Sequence, residues 1–202
     1  MSGVSNRQNK VKLNRQSVER KMNVYIKNIL RFCIIILLQV LILNKITLRW
    51  WSEPSGFPVF IPYVYPLFIL LLPFETPVWA LLIMGFGLGI TVDSFMNTAG
   101  MHAFATVVIA YLRTNVLSAL LPRNLSEYDG QHPSIRSMGW MPFLVYSAFL
   151  IVLHHFVFFS IELWSFSNFG FLLLKIIASS LTSMLFIIVY LLLFTRQSAS
   201  RV

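Results

Sequence analysis

The chain has 202 residues, of which 57% are hydrophobic and only 11% charged, against roughly 25% charged in an average soluble domain. The apolar residues fall in repeated runs with the charges confined between them, which excludes a soluble globular protein and leaves no room for a separate water-facing domain. The net charge of +9 would suit nucleic acid, but eight of the sixteen basic residues, Arg7, Lys10, Lys12, Arg15, Arg20, Lys21, Lys27 and Arg31, precede or open the first apolar run, so the charge reads first as a membrane-topology signal.

Residues 1–21 are polar, basic and aperiodic, which predicts a disordered cytoplasmic arm drawn to anionic lipid. A blander reading stands beside it: Met22 opens MNVYIKNILRF directly before the first span, which would make the arm an upstream start extension. Residues 22–196 then read as a single transmembrane domain and 197–202 as a cytoplasmic tail. The first span runs from about Val24 to Ile46. It lacks a small-residue cleavage site and is expected to be retained. Cys33, the single cysteine, lies inside it, so neither an intramolecular disulfide nor a cysteine metal site can be built. Gln39 sits mid-span, where an amide is expected to hydrogen-bond across to another helix.

Trp50 and Trp51 follow as an interfacial anchor, then a loop with Pro54, Gly56 and Pro58. The next segment, Val59 to Leu72, is apolar but holds Pro62 and Pro66 and stops at Pro73. As a helix it would cover about 21 Å, short of the ~30 Å hydrocarbon core. It is expected to be tilted, broken or re-entrant.

Gly85 to Ala103, GFGLGITVDSFMNTAGMHA, is the most specific stretch. Gly85 and Gly89 are one turn apart and make a small-xxx-small face on which another helix backbone can approach, with Gly87 between them. Ordinary helix packing accounts for the glycines alone. Asp93 is different, because an ionisable group at the end of a membrane segment is costly and is read by default as functional or partner-binding. Gly100 reopens the chain, and Met101 to Leu121 crosses back with Arg113 near enough to its end to snorkel.

Pro122 to Gly139 is the long internal loop, expected on the cytoplasmic side, so its Asn124-Leu125-Ser126 sequon reads as a chance match. Trp140 to Ile161 goes outward and about Asn168 to Phe194 returns. With Arg113 and Lys175 set aside inside spans, twelve basic residues collect on one side and two on the other. That places both termini inside.

His154, His155 and Lys175 lie at similar depth in the last two spans, and Glu162 is two turns along from His155. One reading is an outer polar cleft of His155, Glu162 and Lys175, shared with Asp93; the other is a snorkelling lysine, an interfacial glutamate and histidines bonded to backbone. Adjacent histidines on a helix diverge by about 100°, which argues against zinc. No nucleotide loop and no assembled catalytic set is present, so no catalysis and no cofactor are expected. Ser179 and Ser183, one turn apart with Thr182, form a small polar packing face.

The proline-containing second segment, Gly87-Leu88, Asp93, then Gly100-Met101-His102-Ala103 leading to Tyr111-Leu112-Arg113, together resemble the MreD family of rod shape-determining membrane proteins over Met22 to Thr195. The resemblance implies an all-α protein of about six transmembrane helices, similar in fold to the substrate-binding components of energy-coupling-factor transporters. It also implies a non-catalytic scaffold of the bacterial inner membrane, working with MreC, the actin-like MreB, RodA and a penicillin-binding protein in lateral peptidoglycan synthesis. A vitamin-type transporter component is the alternative. Such proteins dock their energising partner through alanines four apart in the first helix, whereas no alanine here precedes Ala80. A membrane enzyme is a third reading, and it would require Asp93, His155 and Glu162 to converge on one cavity.

Overall fold

The computed structural model describes residues 26, 28–45, 48–49, 58–60, 62–121, 125–128, 130–163 and 169–194. The basic arm, Trp50 and Trp51, the loop through Pro54 and Gly56, Asn124 of the sequon and the C-terminal tail lie outside the described residues. The chain is an all-α, multi-pass membrane protein. Among the described residues five helices are long and apolar enough to cross a bilayer: α1 (Asn28–Lys45), α3 (Val78–Met96), α4 (Met101–Leu120), α6 (Trp140–Leu163) and α7 (Phe169–Phe194). Each lies within a few residues of the expected span. The described residues before Ile35 belong to a separate unit, and the bundle described below begins at Ile35.

The bundle turns its polar residues inward, among a larger apolar core that includes Phe143, Leu150, Ile151 and Ile187. On α6 the exposed side chains include Val145, Phe149, Val152 and Phe156, while Ser147, His154 and His155 are buried. On α7 Leu174, Ile177, Leu181 and Leu185 face outward while Lys175, Ser179 and Ser183 are buried. Spacings of three and four put each exposed set on one helix face, and likewise Lys175, Ser179 and Ser183. In hydrocarbon a leucine gains little by hiding from its surroundings, whereas a polar group gains a partner by turning inward, as His155, Lys175 and Ser183 do. The long helices pack in series, α3 on α4, α4 on α6 and α6 on α7.

Between α1 and α3 the chain is not a spanning helix. Strands β1 (Leu48–Arg49) and β2 (Pro58–Phe60) pair antiparallel, and β2 lies against α7. Residues 62–72 are all buried, yet only one helical turn, α2 (Leu67–Leu70), forms among them. Pro62 and Pro66 stop a longer helix, so the backbone here needs partners from elsewhere.

At the start of the segment Gln39 supplies them. Its Oε1 accepts from Val64 N (2.8 Å) and Tyr65 N (3.3 Å), and its Nε2 donates to Pro62 O (3.1 Å) and to Asn44 Oδ1 (2.9 Å). The expected bond across the bundle is present, but it goes to non-helical backbone. Ser183 Oγ accepts from Tyr63 N at 2.9 Å. At the far end Tyr146 Oη donates to Leu70 O (3.0 Å), and Arg113 Nη2 donates to Leu72 O and to Pro73 O. Arg113 is therefore not a snorkelling residue; it is fully buried. Leu72 and Pro73 lie just beyond α2, outside any helical ladder, and the guanidinium meets both carbonyls at once; Pro73 O also accepts from Thr76 N (3.2 Å) and Thr76 Oγ1 (2.8 Å).

Beyond Pro73 the segment is tied to the 121–139 connection, which carries a 3-10 turn (Leu125–Tyr128) and α5 (Ile135–Met138). Phe74 N donates to Gln131 O at 3.1 Å, and Gly130 N donates to Glu75 Oε2 at 3.2 Å. The segment thus runs from the β ladder beside α7 to this connection through the middle of the bundle.

Gln39→Leu should leave two amides and one carbonyl of the segment without partners, at about 1–3 kcal/mol for each orphaned group. The expected outcome is a clear drop in the thermal unfolding temperature of the detergent-purified protein. Leu41→Ala, at a side chain 57% exposed to the surroundings, should leave it unchanged.

Candidate functional site

The glycine-spaced stretch forms a tight helical hairpin. Asn97 ends α3 in the left-handed conformation (φ 58°), and its N–H, like that of Thr98, donates to Asp93 O. Gly100 then opens α4 at φ +79°, a conformation that costs glycine little. So short a connection forces the two helices together at once. A methyl group at Gly89 would lie 2.3 Å from Ala103 Cα and 2.6 Å from Ala103 N. At Gly85 it would lie 3.1 Å from Ala110 Cβ and 3.3 Å from Thr106 O. The partner of the glycine face is therefore the next helix of the same chain. Gly87 is on another face, with nothing within 4 Å of a methyl group built there.

Asp93 closes the same hairpin. It is 3% exposed, and its carboxylate accepts from Thr98 Oγ1 (2.5 Å), His102 N (3.1 Å) and Ala103 N (2.9 Å). Those two amides belong to the first turn of α4, whose N–H groups lack intrahelical acceptors. Gly100 stands at the N-cap and has no side chain to cap with, so the carboxylate comes from the preceding helix. The positive end of the α4 dipole adds to the attraction. The charge that looked costly in the sequence is matched by a helix N-terminus.

A second polar group lies deeper. Tyr65 Oη is 2.8 Å from His102 Nδ1 and 2.5 Å from His154 Nε2, so the buried segment, α4 and α6 meet at one hydroxyl. The Tyr63 ring packs edge-on to His102, with centroids 5.0 Å apart, and stacks on His155 at 5.6 Å. His155 Nδ1 is bonded to Ile151 O (2.8 Å), and its Nε2 lies 3.3 Å from Ser183 Oγ. The adjacent histidines diverge as their helical spacing requires. Farther along α6, Glu162 pairs with Lys175 at 2.5 Å, and Lys175 also lies over the Phe159 ring, 4.6 Å from its centroid.

Glu162 and Lys175 are thus a direct pair, whereas the carboxylate of Asp93 is occupied at the α4 N-terminus. Asp93, His155 and Glu162 each bond to a different neighbour. Among the described residues no group of three His, Cys, Asp or Glu side chains is placed to hold a metal ion. Sequence reasoning missed Tyr63 and Tyr65 and gave His102 no role of its own. The available signal was a pair of tyrosines between Pro62 and Pro66 in an otherwise aliphatic and aromatic run.

Gly89→Ala should force α3 and α4 apart and cost about 3 kcal/mol or more, whereas Gly87→Ala should be neutral or stabilise by up to about 1 kcal/mol through helix propensity. Asp93→Asn keeps the shape but weakens the cap, at about 1 kcal/mol. Unfolding titrations of the three purified variants in mixed micelles measure this order, and equal stability of the two alanine variants would contradict the packing described. Compared with known proteins, the chain matches no family model, no curated protein and no solved structure.

Proposed function

We propose that the protein is a non-catalytic scaffold of the bacterial cell-elongation machinery, a MreD-type partner of MreC. In this reading it sits in the cytoplasmic membrane with both termini inside, and it organises lateral wall synthesis alongside MreB, RodA and a penicillin-binding protein. The observation that carries the reading is how the motif residues are used. Asp93, Gly100 and Ala103, which carry much of the resemblance, meet in one hairpin, and each serves to hold its shape. Arg113, from the same motif, holds the broken segment in place. A constellation devoted to rigidity suits a protein whose task is to present a fixed surface.

Gly87 suits the presenting role. It lies on the outward face of α3 with Ile83 and Ile90, which are 65% and 40% exposed. A small residue on an apolar outer face lets another helix backbone come close, and dispersion contacts then drive association in lipid. The membrane helix of MreC is the occupant this reading assigns to that face.

A tagged protein drawn from its native membrane in mild detergent should bring down MreC, and Gly87→Leu should cut that recovery at least tenfold while the bundle's stability is unchanged. Full recovery with Gly87→Leu would move the MreC contact to another face. Recovery of a vitamin-like ligand or an ATP-hydrolysing module, with no MreC, would replace the scaffold by the transporter component.

A further inference from the structure

Three of the four histidines surround Tyr63 and Tyr65 in the middle of the bundle. His102, Tyr65 and His154 are fully buried. They form a linear chain in which the Tyr65 hydroxyl touches one nitrogen of each ring. The opposite nitrogens, His102 Nε2 and His154 Nδ1, are buried with no hydrogen-bond partner. Phe158 stacks on His102 with centroids 4.3 Å apart, and Tyr63 packs edge-on to both histidines. The chain is therefore walled by aromatic rings along its length and unsatisfied at its two ends.

A count of protons limits what this chain can be. The tyrosine hydroxyl has one proton to donate, so with neutral rings both contacts are hydrogen bonds only if one histidine donates in return. In one arrangement Tyr65 donates to His154 Nε2 and accepts from His102 Nδ1–H, and both rings then carry their proton on Nδ1. In the other, Tyr65 donates to His102 Nδ1 and accepts from His154 Nε2–H, and both rings carry it on Nε2. The two histidines must share a tautomer. Whichever it is, one end of the chain shows a bare N–H and the other a bare lone pair.

A purely structural contact would not need this. Each unsatisfied end is unfavourable in an apolar interior, and a phenylalanine in place of either histidine would remove one of them. What the ends hold is a lone pair at one nitrogen and an N–H at the other, each without a partner. We propose that His102, Tyr65 and His154 form a proton relay inside the membrane-spanning bundle, with water as the proton source at one end and the proton acceptor at the other. A proton added to His102 Nε2 sends the Nδ1 proton to the Tyr65 oxygen. The hydroxyl proton moves to His154 Nε2, and the proton on His154 Nδ1 leaves. One proton enters, one departs, no charge accumulates, and the first arrangement has become the second. The neighbouring titratable groups are separately engaged: Asp93 accepts from the backbone N–H of His102, and His155 is bonded to Ile151 O.

The test is histidine tautomer state, read by ¹⁵N resonance of ring-labelled full-length protein in lipid nanodiscs, since protonated and lone-pair nitrogens are well separated in shift. His102→Gln and His154→Gln assign the signals. The expected wild-type spectrum shows both residues in the same tautomer, exchanging together between two sets. Opposite tautomers, or a single set that does not exchange, overturns the relay without any variant. Tyr65→Phe should abolish the linked exchange, and exchange at the wild-type rate in that variant also overturns it. His155→Asn should leave the exchange as it is.

Discussion

The structure depends on a stretch of backbone that cannot satisfy itself. Bilayer interiors supply no hydrogen bonds, so a non-helical segment at membrane depth persists only where protein groups replace water around it. Residues 62–73 are such a segment, and several of the buried polar residues in the bundle serve its backbone. Gln39 and Ser183 meet its first amides, and Tyr146 and Arg113 meet its last carbonyls. Because these groups come from α1, α7, α6 and α4, the segment ties four helices together. It is also what brings Tyr65 to the centre, between histidines on two helices.

The hairpin of α3 and α4 solves the opposite problem. Its backbone is regular, and the difficulty is a tight turn between two apolar helices. Glycine at 89 removes the steric obstacle, Gly100 and Asn97 take the left-handed conformations, and Asp93 serves the amides that the turn strands. An aspartate in this place combines a charge, a helix N-terminus and burial in one arrangement, which is why its charge is tolerated.

The long apolar helices were legible from run length, and so was the small face of Gly85 and Gly89, because both follow from the chemistry of single residues. The broken character of 59–73 was legible too, since proline acts locally. The partner of the glycine face needed the turn geometry at Asn97 to Gly100, which spacing does not encode. The burial of Arg113 was missed for a related reason. Near the end of a span an arginine ordinarily reaches water, and only the three-dimensional path of the segment shows two carbonyls waiting for it. The Tyr65 chain was hidden because its members are far apart in sequence and each is unremarkable alone.

The burial of Arg113 also bears on how the chain is made. An arginine costs roughly 2.5–3.5 kcal/mol at the centre of a membrane helix and less toward its ends, so Arg113, two turns from the end of α4, still sets a cost on that helix alone in lipid. The carbonyls that accept from it belong to Leu72 and Pro73, about forty residues earlier in the chain. They are already synthesised when α4 arrives. The partners of Arg113 thus precede it in the chain, whereas Tyr146, whose hydroxyl meets Leu70 O at the same end of the segment, follows it on α6.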